Sequence, residues 1–224
     1  MAKKLSNMMK RGLKYVFMAL IGATLIYHSV YFKSLQRVKA SVKDLNIDSY
    51  AKNYLFKLIP NAKSEFVDIT LLRRALVENA SQAFASYSHA VSDGDLRYFM
   101  VTGAGVVVQT DSDYIWSRSD TKPAIKLATK YIYGTAARDA AGLIAVDSFD
   151  NTMVFNELSE KINELVRKEI VPISENFKPG DSLRFTGALG LSTKAPQLTE
   201  ATIIPLQLER LETNDKKDQD VRDR

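Results

Sequence analysis

The chain has 224 residues, no cysteine and a formal net charge of +5. That length suits one ordinary domain with appendages, and the missing cysteine excludes disulfides, thiolate metal sites, cysteine nucleophiles and lipidation at an N-terminal cysteine. The charge is lopsided: residues 1–43 hold nine Lys and Arg and no acid, so the remaining 181 residues carry 22 basic against 26 acidic groups. A nucleic-acid-binding domain carries its positive charge on the folded part; this chain has the reverse, and no nucleic-acid partner is expected.

Residues 15–32, YVFMALIGATLIYHSVYF, contain no formally charged side chain apart from the titratable His28. Eighteen residues at ~1.5 Å each span ~27 Å, about the hydrocarbon thickness of a bilayer. Tyr15, Tyr27, Tyr31 and Phe32 stand near the ends, where an interfacial aromatic belt belongs. A buried core helix is the alternative, disfavoured by basic residues at both flanks. A cleavable signal needs small residues before the cut, and Ile21-Gly22-Ala23 cuts inside the apolar run, so an uncleaved anchor is expected. Five basic residues precede the span and four follow it, a balance too even to orient it alone. The expected layout is a basic cytoplasmic N-terminus (1–14), a transmembrane anchor (15–32), a juxtamembrane helix (33–45), a periplasmic domain (46–211) and a disordered tail (212–224). In the juxtamembrane stretch Leu35, Val38, Val42 and Leu45 share one helix face, either as a stalk or packed on the domain.

Two helices come next. Asp48 is placed to cap one through 49–58 that stops before Pro60, and Asp68 to cap another through 69–87 with Leu72, Ala75, Leu76 and Ala83 along one side. Ser92-Asp93-Gly94-Asp95 reads as a turn. The pattern then becomes strand-like. Residues 97–109 form a long strand in which Gly103 and Gly105 mark a bend, as when a strand curls to close a barrel. A dinucleotide fingerprint would need a third glycine at 108, where Val108 stands, and a strand-to-helix turn. Residues 114–119 and 125–133 are further strands; in the latter Ile125, Leu127, Tyr131 and Tyr133 point one way. Leu158, Ile162, Leu165 and Val166 make a helix face, with Pro172 ending that helix. Leu183, Phe185, Leu189 and Leu191 alternate in one late strand, and Ile204, Leu206 and Leu208 in another, where Pro205 demands an edge or a bulge. The fold class is therefore α+β and β-rich: after the N-terminal transmembrane helix and a helical segment, an OB-like five-stranded antiparallel barrel with inserted helices. An open antiparallel sheet with helices on one face is the alternative.

The segments NYLFKLIP, VDITLLRRAL, FMVTGAGVV, YGTAARDA, FDNTMVFNELSEKINELV and GDSLRFTGAL stand in this order over residues 46–211. In them the chain resembles a bacterial family of predicted periplasmic lipoproteins, domain of unknown function family 2291. The Gly-x-x-x-Arg-Asp and Phe-Asp-Asn pieces are the most specific. The resemblance implies a secreted, membrane-tethered domain, often found beside sugar ABC-transport components, and so supports an outside orientation for 46–211. It implies no reaction and no functional residues. Members typically carry a lipobox cysteine, and here the apolar span would replace the lipid.

Catalytic equipment is sparse. His28 lies inside the apolar segment and His89 in a loop, neither in a histidine-pair pattern on one helix face, so no metal is expected, no cofactor is implied, and there is no nucleophile elbow or phosphate-binding loop. Asp147 and Asp150 could be imagined as acid and base, but such a cluster is more often turn chemistry. Two readings stand for YIYGTAARDAAG, residues 131–142. Gly134 ends a strand, and Arg138 with Asp139, Asp150 and Asn151 lines a cleft whose guanidinium fork suits a sugar or a carboxylate. Alternatively Thr135 caps a short helix, and the Arg138–Asp139 pair pins it to the barrel; that structural reading is favoured. Tyr114 and Trp116 share one strand face; exposed they would make a stacking platform for a sugar ring, though core packing is the commoner fate. The expectation is a non-enzymatic membrane-anchored accessory or binding protein in the bilayer of the inner membrane, facing the periplasm and associated with carbohydrate ABC-transporter components or a small sugar ligand. Two further classes remain: an oligonucleotide-binding OB domain, and an enzyme acting on envelope carbohydrate.

Overall fold

The computed structural model describes residues 46–90, 94–119, 124–149, 151–199 and 201–211, together with Met18. The expected basic terminus, the anchor apart from Met18, the juxtamembrane helix and the C-terminal tail lie outside the described residues, as do Ser92 and Asp93 of the expected turn and Asp150. Among the described residues no helix is long and apolar enough to cross a membrane.

The first helical run comprises α1 (Ile47–Asn53), a π-helical turn at Tyr54–Leu58 and α2 (Ile59–Asn61). Asn46 caps it, its side-chain oxygen accepting from the Ser49 N–H at 2.9 Å. Asp48, the expected cap, instead sits in the first turn, where its charge suits the positive end of the helix. Nor does the run stop before Pro60. In the π turn the Ile59 N–H reaches back five residues to the Tyr54 carbonyl. That offset leaves Pro60 at a start-of-helix position, where a missing N–H costs nothing.

A two-residue strand, β1 (Val67–Asp68), leads into α3 (Ile69–Tyr87). Asp68 is the cap the sequence indicates: its Oδ1 accepts from the Thr70 N–H at 2.8 Å and from the Leu71 N–H at 3.4 Å. Leu72, Leu76 and Ala83 are buried along one side. The helix kinks at Asn79, whose φ of −157° leaves helical space. There its side chain accepts from the Gln82 N–H at 3.1 Å and restarts the helix.

The barrel is built from β2 (Leu96–Thr110), β3 (Tyr114–Arg118), β4 (Ile125–Ala128), β5 (Ser182–Ser192) and β6 (Thr202–Leu211). The strands close in the order β2-β3-β4-β6-β5 and back to β2, with β1 added parallel to β2. The β2–β3, β3–β4, β5–β6 and β2–β5 seams are antiparallel, whereas β4–β6 is parallel. The barrel is therefore mixed rather than antiparallel throughout. An odd number of strands with alternating directions cannot close without one parallel seam.

Closure depends on β2 serving two neighbours. Leu96–Val106 pairs with β5, and Val106–Thr110 with β3, across a bulge between Val107 and Gln109. A Cβ on Gly103 would lie 2.7 Å from the Phe185 ring, and one on Gly105 2.8 Å from the Arg118 carbonyl oxygen. These glycines let the bent strand meet its neighbours closely. Pro205 sits beside a second irregularity, between Thr186 and Gly187 of β5, the bulge its missing N–H requires. β4 is shorter than expected. The strand ends at Ala128, and the Ile132 N–H bonds the Lys130 carbonyl at 3.0 Å in a tight turn. That turn breaks the alternation, so Ile132 is buried while Tyr131 and Tyr133 are exposed.

Three more helices complete the fold: α4 (Ala136–Asp139), α5 (Thr152–Leu165) and, after a π-helical turn at Val166–Ile170, α6 (Val171–Ser174). Pro172 does not end this run, for the same reason as Pro60: the π turn places it in the first turn of α6. α5 packs against α1 and α4, α3 packs on β2, and the second π turn packs on β6. α4 is wedged between β5, β6 and α5. Phe99, Ile115, Leu127, Leu183, Phe185 and Leu189 of the strands and Leu158, Ile162 and Val166 of the helices belong to one buried cluster.

Candidate functional site

The segment 131–142 occupies that wedge. Gly134 takes φ +80°, a left-handed turn that glycine adopts without strain. Thr135 stands at the N-cap position of α4 without a side-chain cap. Its hydroxyl instead meets the Tyr98 hydroxyl at 3.0 Å. Arg138 and Asp139 are buried, 2 % and 3 % exposed. Arg138 donates from Nε to Asp139 Oδ1 at 2.5 Å and from Nη2 to Oδ2 at 3.0 Å, a two-point pair between neighbours. Its Nη1 donates to the Phe155 carbonyl at 2.7 Å, and the guanidinium lies 3.4 Å over the centre of the Phe155 ring.

Further side chains complete the clasp, and the sequence did not point to them. The Tyr54 hydroxyl, from the first π turn, donates to the carbonyls of Ala137 and Arg138 at 3.0 and 2.9 Å. Burial pushes its pKa far up, with the Asp139 charge adding in the same direction, so the phenol remains a donor. Asn163 and Arg167, four apart on the second helical run, hold the chain just before α4. Asn163 Nδ2 donates to the Gly134 carbonyl at 2.8 Å, and Arg167 Nη1 to the Ile132 carbonyl at 2.5 Å. Their i, i+4 spacing was the available signal. Tyr54 carried none, since a tyrosine on an apolar face looks like packing. Asn151, another candidate, caps α5 by accepting from the Val154 N–H at 2.9 Å.

Tyr114 and Trp116 lie in a separate neighbourhood. They alternate with buried Ile115 and Ser117, so they stand on the outer surface of β3, and both are half-buried. Their rings are edge-to-face, with centroids 6.4 Å apart. Trp116 Nε1 donates to Asp111 Oδ2 at 3.2 Å, and Lys126 Nζ lies 4.8 Å from the indole centre. Asp111 also receives the Asp113 and Tyr114 N–H groups at 2.8 Å each. Those backbone donors, and then the indole, hold its carboxyl below the usual range.

The model of a family described as predicted periplasmic lipoproteins, DUF2291, matches residues 20–209. The chain belongs to this family. A crystal structure of an OB-fold protein from Thermotoga maritima is similar, with a TM-score of 0.65 and 24 % sequence identity over 75 % of this chain and 100 % of that one. At that identity the likeness concerns the fold, and the strand order closed through a parallel β4–β6 seam agrees with it. No curated protein matches the chain.

For this DUF2291 protein a periplasmic location is what the family's description carries. Among the described residues no group of His, Asp and Glu is arranged to hold a metal ion. Asp147 lies in an exposed 3₁₀ turn, Val146–Ser148. His89 exchanges two backbone hydrogen bonds with Tyr98, at 2.7 and 2.9 Å. Its ring rests on Gly142, where a Cβ would come within 2.4 Å of Nδ1 and where φ is +65°. A cleft of about 310 Å³ opens beside it, lined by Glu65, Tyr87, Met100 and Leu143 among others. Partial burial lowers the His89 pKa.

Proposed function

We propose that this protein is a non-enzymatic accessory or binding component of the periplasm, held by a single membrane-spanning segment and serving carbohydrate uptake through an ABC-type transporter. The observation that carries this reading is the contrast between the two neighbourhoods. The charged pair in the most site-like segment is enclosed by Tyr54 and Phe155 and works as a clasp between helices. The aromatic pair stands on an outer strand surface beside a lysine. A partly exposed indole with polar neighbours suits recognition of a sugar face. The apolar run at 15–32 supplies the tether in a chain without cysteine, and the family match begins at residue 20, inside that run.

Two measurements on the intact protein test this. It stays with membranes after an alkaline carbonate wash, because an ~18-residue apolar helix inserts in a bilayer effectively irreversibly. Removing the gene lowers uptake of at least one labelled sugar across a panel of mono- and oligosaccharides. Release into the soluble fraction overturns the tether, and unchanged uptake of every sugar overturns the transport role.

A further inference from the structure

The outer surface of the β3 region carries more than the aromatic pair. Strand registers place Gln109, Trp116, Lys126 and Thr202 in one row across β2, β3, β4 and β6. Side chains opposite one another in a sheet share a face, so the indole lies between an amide and an ammonium. One step along β3, on the same face, exposed Arg118 pairs with Val106, itself 44 % exposed. Among the described residues, the two carboxylates at the start of β3, Asp111 and Asp113, are already engaged. Asp111 accepts from two backbone N–H groups and the indole, and Asp113 pairs with Lys130 at 3.0 Å. Among the described residues neither Arg118 nor Lys126 is in an ion pair with a carboxylate. Two cations thus flank a partly exposed indole in a part of the chain that is otherwise net acidic.

We infer that this face, Tyr114, Trp116 and Arg118 with Lys126 beside them, binds a carboxylate-bearing sugar. The inference rests on the reading of the protein as a carbohydrate-binding component and names the class of sugar. Trp116 offers an indole against which the C–H face of a pyranose packs. Residues i and i+2 of a strand lie about 6.6 Å apart, so a ring centred on Trp116 carries its carboxylate to Arg118, whose planar fork donates to both oxygens. Lys126 reaches the same carboxylate, or that of the next residue in an oligomer, by leaving the indole face it now covers. Gln109 and Thr202, in the same row, supply donors and acceptors for hydroxyls. A neutral sugar would leave both cations unused, and a single-stranded nucleic acid would need a longer basic track than two side chains provide.

Trp116 is the sole tryptophan of the chain, so its emission reports on this face alone. The test titrates the detergent-solubilised full chain with trigalacturonate, maltotriose and a short oligothymidylate, following tryptophan fluorescence with calorimetry in parallel. Trigalacturonate is expected to change the emission saturably, and added salt to weaken it. Arg118→Gln and Lys126→Gln, which keep the tryptophan and alter only surface side chains, each weaken binding about ten-fold or more, as expected for a lost charge-assisted hydrogen bond. Circular dichroism checks that both variants stay folded. Maltotriose binding as tight as trigalacturonate, unaffected by either substitution, overturns the acidic-sugar assignment while leaving a carbohydrate role standing. Neither emission change nor heat with millimolar trigalacturonate overturns it as well. Preferential binding of the oligothymidylate overturns both this inference and the carbohydrate reading beneath it.

Discussion

Removing Arg138 is the sharpest perturbation the structure offers. In Arg138→Ala the Asp139 carboxylate, 3 % exposed, loses two donors at 2.5 and 3.0 Å. The Phe155 carbonyl loses a third at 2.7 Å, and the Phe155 ring loses the guanidinium stacked on it. Breaking a buried ion pair by deleting one member commonly costs about 3–5 kcal/mol, because the other charge is stranded. For a domain of this size about 2–4 °C of melting temperature is lost per kcal/mol, so a drop of roughly 6–20 °C is expected. Asp139→Ala should cost somewhat less, since Arg138 keeps the Phe155 carbonyl and ring. The double variant strands no charge and should lose less than the sum of the singles, a coupling that a double-mutant cycle isolates. The assay is thermal and urea unfolding of a fragment of residues 44–224, parent and three variants in parallel. If Arg138→Ala is as stable as the parent, the clasp reading fails, and a ligand for the guanidinium should be sought around Gly134 and Asn151.

Two further expectations are simpler to read. Gly187→Ala places a Cβ 2.4 Å from Ile203 Cγ2 and 2.8 Å from the Ile204 carbonyl oxygen; because one clash is with backbone, unfolding should show a loss of about 1–3 kcal/mol, and a neutral result would refute the close β5–β6 approach beside Pro205. Partial burial lowers the His89 pKa from the ordinary value in the fold, so the unfolded chain binds the proton more readily. Its contribution is fully present above the ordinary histidine range and is lost as pH falls through that range towards the lowered folded pKa. The melting temperature should therefore decline on going from neutral to mildly acid solution. His89→Gln should flatten that decline, and an unchanged slope would refute the assignment.

Several features of the fold are fixed by local sequence alone. Asp68 caps α3 because a cap needs only an acceptor and an N–H two or three residues on. Gly103, Gly105 and Pro205 announced a bent strand and a bulge because their backbones permit or forbid specific pairings. Periodicity and element order were enough for five barrel strands. Readings failed where local signals tied or where a distant partner decided. Asn46 and Asp48 are both good caps, and it is Asn46 whose extended backbone, at φ −70° and ψ 101°, lets its side chain accept from the Ser49 N–H, a conformation that local sequence does not fix. Pro60 and Pro172 look like stops, yet each is carried past by a π turn within a longer helical run. The pairing of Arg138 with its immediate neighbour was visible, but its burial was not. That is decided by Tyr54, 84 residues away, and by the backbone of Phe155, 17 residues away. Strand alternation places Tyr114 and Trp116 on one face. Whether that face looks into the core or out to solvent is set by how the sheet curls when β4 meets β6, which happens only once all five strands are present.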